Sequence, residues 1–514
     1  MVFSKSYAEN LKVNLSKRQL ETVTQDYDIS QLHQLLLKKQ LTSQQLTQFY
    51  LERIAQMNPQ LNAVISTNPL AMEQAKQLDQ ELANGQIRGL LHGIPILVKD
   101  NIETKELPTT AGSLILKDNM TERDATVIAN LRASGAIILG KTNLSEWANF
   151  RSRDSSSGWS AVGGQTHNPH DITRSSCGSS SGSGAAIAAN LAVAAIGTET
   201  NGSITCPASI NGIVGVKPRL GLVSRLGIVP IAETQDTAGP MTKFVKDSAI
   251  LLAYMQSDDP KDQTFKTTLQ RSQYRVEALL KKFKKPVNLS KLRLGVLQSP
   301  ATSNMAVNEL LGKFIQQLKQ QKTSLVENLQ THPYESFYQD SYDVLLSEFK
   351  PSLNQYFKML PNAYNQLTLE KVIAYNQKNA TKEMPYFGQD IFIAAEKSLG
   401  MNHTDYQLKL KKIKQATQVD GLDKLILEHD IDALIAVTVG PAWKIDHVYG
   451  DRYPGGVSTY SAVSGYKHIT LPLGKIKGLP VGLSIIGGKE TQDSWLLEIA
   501  MSLEAFLSAL PKVE

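Results

Sequence analysis

The sequence predicts an α/β fold with much parallel sheet, and two observations carry that prediction. Short, fully apolar runs bounded by turn residues alternate with longer stretches at helical spacing, joined by short links. The run Ile94-Pro95-Ile96-Leu97-Val98, a helical segment over 125–133 and a second apolar run over 135–140 read as strand, helix, strand. With 41% apolar and 20% charged residues among 514, there is enough to bury one large core.

Taken in order, residues 28–83 read as helices. Leu32, Leu35, Leu36 and Leu37 precede a break at 40–43, Ser43 is the expected N-cap, and Leu46, Tyr50, Ile54 and Met57 follow at helical spacing. The strand over 94–98 comes next, with Lys99 and Asp100 where it emerges. Beyond the strand over 135–140 lies the stretch 174–207, RSSCGSSSGSGAAIAANLAVAAIGTETNGSITCP, in which no charged residue falls between Arg174 and Glu199. A Ser/Gly run is a linker when a polar boundary follows it. This one feeds into alanine-rich residues that only a protein interior shelters, so it reads as an active-site loop with backbone and hydroxyls brought close to something.

Short apolar pieces at 212–218 and 221–223 and an amphipathic helix over 242–256 follow. Residues 257–288 turn lysine-rich, an exposed excursion; 292–297 is a strand; 304–420 reads as helical and tyrosine-rich, an insertion walling one side of a pocket. Sheet character returns at 431–436, 468–472 and 479–486, and a helix over 491–507 closes the pattern.

The net charge of +6 is spread thinly, and its densest cluster, Lys281, Lys282, Lys284 and Lys285, reads as a solvated helix end, not a nucleic-acid stripe. No apolar run is long enough to span a bilayer. The first residues, MVFSKSYAENLKVNLSK, carry no hydrophobic segment, which favours a cytoplasmic location over a secretory signal. Two cysteines, Cys177 and Cys206, are too few for a disulfide framework or a four-cysteine zinc site and read as small buried thiols.

Two motifs mislead. Residues 135–142 fit the phosphate-loop pattern, but the four residues between its glycines have the composition of a strand, not of an open loop. Residues 178–182 fit G-x-S-x-G, the nucleophile elbow of serine esterases, without the hydrophobic strand that elbow needs before it; His447 and His468 would be its candidate bases. No metal-binding pattern occurs, so neither a metal nor a cofactor is expected.

Three polar positions then stand out: Lys99 at the end of a buried strand, Ser179 in the loop and Ser203 in the turn. A lysine becomes a base when burial removes its charge. A serine becomes a nucleophile when a base takes its proton, and a second serine between the two can relay it. The turn at 200–203 can present successive backbone N–H groups to an oxyanion, with Gly202 permitting the tight approach. A purely structural role for Lys99 would be a salt bridge to Asp100.

These segments resemble the amidase signature family. Residues 92–101 (HGIPILVKDN), 140–148 (GKTNLSEWA), 177–184 (CGSSSGSG), 196–218 (IGTETNGSITCPASINGIVGVKP), 234–241 (TQDTAGPM), 461–474 (SAVSGYKHITLPLG) and 478–487 (GLPVGLSIIG) follow its pattern in order. The resemblance implies a three-layer α/β/α fold with a large mixed, largely parallel central sheet. It implies one domain over 1–514: a signature core at 85–245, a helical insertion at 300–425 lining the pocket, and a return to the sheet at 426–514. It also implies a catalytic triad of Lys99, a bridging Ser179 after a cis peptide bond and the nucleophile Ser203. The oxyanion hole falls on Thr200, Asn201, Gly202 and Ser203, and the supporting loop on Gly178, Ser180 and Gly182.

The activity so implied is cofactor-free hydrolysis of a small-molecule or peptide amide by a monomer or homodimer. The chain departs from the family where an arginine often follows the nucleophile, at Thr205. That weakens an amidotransferase A-type subunit, and the form around Ser203 most resembles bacterial peptide-amidase-like members, which take C-terminal peptide amides. A serine esterase and a catalytically silent binding protein stay open as rival readings.

Overall fold

A computed structural model describes residues 15–257, 259–262, 281 and 286–510. The reading of the first residues, and most of the lysine-rich stretch at 257–288 with all of its basic cluster but Lys281, lie outside them.

Eleven strands form one sheet: β1 (Val64–Thr67), β2 (Pro95–Lys99), β3 (Ile137–Thr142), β4 (Ala194–Glu199), β5 (Val214–Lys217), β6 (Thr237–Thr242), β7 (Arg293–Leu297), β8 (Ser324–Leu329), β9 (Ala433–Val437), β10 (His468–Ile476) and β11 (Leu479–Ile486). Their order is β1-β3-β2-β4-β6-β5-β10-β11-β9-β7-β8. Parallel pairing groups in two blocks, β3-β2-β4 and β9-β7-β8. The strands between them pair antiparallel, as does β1 on β3. The sheet is mixed, and the helices around it complete the three layers.

β2, β4 and β9 are buried at every residue, which is why they read as unbroken apolar runs without alternation. Helices Thr126–Ala133, Val245–Met255 and Asp493–Ala509 pack on one another and on the sheet. A second pair, α1 (Ser181–Ala188) and α2 (Thr205–Asn211), packs together against the sheet on its own. α1 owes its small residues to crowding: a Cβ at Gly182 would sit 2.2 Å from the Ala63 carbonyl and 2.6 Å from the Asn143 nitrogen. That closeness presses the start of α1 against the end of β3 and fixes the loop that leads into it.

Three readings are corrected. The cap of helix Ser43–Leu61 is Thr42, whose hydroxyl accepts from Gln45 N; Ser43 is already the first helical residue. The stretch over 304–420 is not wholly helical, because β8 lies within it and joins the sheet edge beside β7. β8 escapes detection because only Leu329 in it is buried and its pattern lacks regular alternation. The two cysteines are not thiols: Cys177 and Cys206 form a disulfide, their Cα atoms 6.1 Å apart. Among the described residues no helix is long and apolar enough to cross a membrane.

Candidate active site

Lys99 ends β2 with no exposed surface. Because β2 lies between β3 and β4, its side chain emerges among the loops that follow their ends. Lys99 Nζ donates to Ser179 Oγ at 2.8 Å and to Thr198 Oγ1 at 2.8 Å, with the Thr198 carbonyl at 3.4 Å. Burial pushes the Lys99 ammonium well below its usual range, against the pull of Asp236 and Glu199. The salt bridge to Asp100 that a purely structural Lys99 would make does not form. Asp100 is 3.1 Å from Lys141, and Lys141 also donates to the Ile102 carbonyl at 2.6 Å and to Thr109 Oγ1 at 3.0 Å. The phosphate-loop lysine of the sequence pattern is thus a buried structural cation.

The peptide bond between Gly178 and Ser179 is cis. Ser180 fastens this loop to β4, its hydroxyl bonding the Thr198 carbonyl at 3.0 Å and accepting from Thr198 N at 3.1 Å. The loop meets the turn at 200–203 through Ser180 N and the Ser203 carbonyl, 3.1 Å apart. The disulfide joins the same two segments, two residues before Ser179 and three after Ser203. Ser203 Oγ has no hydrogen-bond partner among the described residues, so the structure brings Lys99 and Ser179 into contact and leaves Ser203 beside them, held through backbone.

In the turn, Gly202 has φ +83°. Among the described residues the N–H groups of Thr200, Asn201, Gly202 and Ser203 meet no acceptor. The next two, of Ile204 and Thr205, donate to Glu199 Oε2 at 2.8 and 2.9 Å. Glu199 thereby anchors the start of α2 and leaves four consecutive donors open. Thr200 Oγ1 donates to Asp236 Oδ1 at 2.6 Å, and Asp236 Oδ2 accepts from Ile231 N and Ala232 N at 2.7 and 2.9 Å.

Beside this turn lies a cavity of about 240 Å³, lined by Asn101, Thr198, Thr200 and Asp236, by the loop at 225–233, and by Ser352, Gln355 and Tyr356 of α3 (Phe337–Lys358). From the stretch over 304–420, the cavity thus takes part of its lining from α3. The loop is tied to α3 by Glu348, which accepts from Thr234 N at 2.9 Å and from Thr234 Oγ1 at 2.7 Å.

The esterase reading loses its bases. His447 Nε2 contacts Gln165 Oε1 at 3.0 Å, and His468 sits between the Ser461 and Ser484 hydroxyls at 3.0 and 2.6 Å. The segment Asp171–Ser175 before the loop is a strand, but it pairs with His167–Asn168 in a separate two-stranded ribbon. Sequence reasoning missed Thr198, Glu199, Asp236 and Asn101, although all four lie inside the segments that follow the family pattern. The available signal was a polar residue set among buried apolar ones.

A profile for the Amidase family matches residues 45–497. The solved structure of a native peptide amidase from Stenotrophomonas maltophilia is 41% identical, with a TM-score of 0.88 over 95% of this chain and 98% of that one. A probable amidase of Arabidopsis thaliana is 40% identical over 489 residues, 93% of this chain and 90% of its own length. The A-type subunit of the glutamyl-tRNA(Gln) amidotransferase of Caldanaerobacter subterraneus is 32% identical over 93% of this chain and 95% of its own.

Proposed function

The chain belongs to the amidase family, a hydrolase acting on carbon–nitrogen bonds of linear amides, and from that membership we propose hydrolysis through a seryl acyl-enzyme. Neutral Lys99 takes the Ser179 proton as Ser179 takes that of Ser203. Ser203 Oγ attacks the amide carbonyl, and the oxyanion rests on the N–H groups of 200–203. The relayed proton leaves with the amine or ammonia, and water resolves the ester. The observation that carries this reading is the 2.8 Å bond between Lys99 Nζ and Ser179 Oγ, made by an amine whose charged form burial disfavours. Ser203 Oγ has to close on Ser179 as substrate enters, since catalytic hydrogen bonds tighten in the bound complex.

For substrate we propose C-terminal amides of peptides. The support is the likeness to the peptide amidase and the absence of a basic anchor after the nucleophile, where Thr205 turns its hydroxyl to Glu199 at 3.2 Å. An amidotransferase component is the second reading, favoured by its 32% identical relative. For location, the disulfide favours an oxidising compartment over the cytoplasm. A panel of peptide C-terminal amides, aryl acylamides, fatty acyl amides and short aliphatic amides, scored by kcat/KM on the isolated chain, tests the assignment. Peptide amides should lead; no turnover of any amide, with no labelling of Ser203 by a fluorophosphonate, would overturn it.

A further inference from the structure

A neutral lysine amine has two N–H bonds and one lone pair. For Lys99 to act as a base toward Ser179, both N–H bonds must be spent elsewhere, and its other neighbours are the carbonyl and the hydroxyl of Thr198. The carbonyl only accepts. The hydroxyl can do either, and if its own hydrogen turned to Lys99 Nζ it would occupy the lone pair that Ser179 needs.

What the Thr198 hydroxyl does depends on the carboxamide of Asn101. In the structure Asn101 Nδ2 is 3.0 Å from Thr198 Oγ1, while Asn101 Oδ1 is buried with no partner among the described residues. Asn101 is 2% exposed and lines the cavity beside the site. The two ends of a carboxamide share one outline, so the surrounding network decides which faces inward. With nitrogen inward, Thr198 Oγ1 accepts from Asn101, and the only neighbour that could take its hydrogen is the Lys99 lone pair. With oxygen inward, Thr198 donates to Asn101 Oδ1 and accepts from Lys99, and Nδ2 takes the buried place that Oδ1 has in the structure. Once Ser203 has closed on Ser179, every bond in the row points one way: Ser203 to Ser179, Ser179 to Lys99, Lys99 to Thr198, Thr198 to Asn101.

We propose that Asn101 is a positioning residue of the hydrolysis, its carboxamide oxygen drawing the Thr198 hydroxyl hydrogen away from Lys99 so that the lysine lone pair faces Ser179. The inference rests on the roles assigned above to Lys99, Ser179 and Ser203, and it is separable from them. It acts on no substrate atom. It sets the direction of a proton row.

The test compares Asn101→Leu and Asn101→Asp with wild type in pH profiles of kcat/KM and in the rate of Ser203 labelling by a fluorophosphonate. Leucine keeps the size and removes the acceptor. It should lower the high-pH plateau and the labelling rate about 10- to 100-fold while KM stays nearly constant. Aspartate restores an acceptor and adds a negative charge near Lys99, beside those of Asp236 and Glu199 that already act on it. It should recover most of the plateau that leucine loses and move the rising limb to higher pH. A wild-type plateau in Asn101→Leu overturns the proposal, and so does an Asn101→Asp plateau as low as that of leucine. If leucine prevents folding, judged by circular dichroism, the aspartate profile decides alone: an unshifted limb or a lost plateau sinks the idea. Full activity in Lys99→Ala would instead refute the triad reading.

Discussion

Asp100 gives its carboxylate to Lys141, 3.1 Å away, and leaves the adjacent Lys99 without a carboxylate in contact. Two fully buried lysines on neighbouring strands thus have opposite fates. One is paired with an acid and ringed by acceptors; the other faces hydroxyls and a carbonyl. Asp100→Asn would strand the Lys141 charge in the interior and should cost about 3–5 kcal/mol of stability in chemical denaturation. Asp100→Asn combined with Lys141→Met should recover much of that loss, because no unpaired ion remains.

In the proposed mechanism Lys99 works as the neutral amine, so kcat/KM should rise with pH and level off once the amine has lost its proton. Burial lowers the folded-state pKa well below 10.5, so the plateau should be reached well before that pH. Lys99→Ala should reduce kcat by about 10²- to 10⁴-fold, the span of a general base. Lys99→Met should lose activity to the same extent and raise the melting temperature. The unfolded chain binds a proton on Lys99 that the native state resists, so wild-type stability climbs with pH between the folded pKa and 10.5. The advantage of methionine should therefore shrink as pH rises through that window.

What the sequence made legible was whatever depends on composition over a few consecutive residues. β2, β4, β9 and β11 are buried throughout and read directly as apolar runs. Lys99, Ser179 and Ser203 stood out because each is polar against apolar or glycine-rich neighbours. Three kinds of fact stayed hidden. Which acid pairs with which lysine depends on strand neighbours 41 residues apart, as with Asp100 and Lys141. The disulfide depends on a loop meeting the first turn of α2 in space. The edge strand β8 carries no regular burial pattern to read.

The disulfide between Cys177 and Cys206 closes a loop across 29 residues, worth about 3–4 kcal/mol in the chain-entropy picture. It also ties the segment before Ser179 to the helix after Ser203. The double variant Cys177→Ser with Cys206→Ser should therefore unfold at lower denaturant concentration. It should also lose part of its kcat, because both serines sit on the loops that the bond joins. Both cysteines are 4% exposed, so a mild reductant should act slowly on the native protein and faster as denaturant opens it.

Glu348 reaches from α3 to the loop that walls the cavity. Its carboxylate accepts from Thr234 N and Thr234 Oγ1, and from the Tyr406 hydroxyl at 2.9 Å. Two residues beyond Thr234, Asp236 holds Thr200 at the first position of the turn proposed to bind the oxyanion. Glu348→Ala removes three bonds from a fully buried site and leaves the Thr234 groups without an acceptor, a cost of about 1–3 kcal/mol. The slack should appear first in the cavity wall and only weakly in the turn, because Asp236 keeps its own bonds to Ile231 N and Ala232 N. KM for peptide amides should therefore rise several-fold more than kcat falls. Asp236→Ala, which frees Thr200 itself, should show the reverse split, with kcat taking the larger loss. Steady-state kinetics of the two variants on one substrate separates these outcomes: equal effects on KM and kcat in both would mean that wall and turn move as one piece.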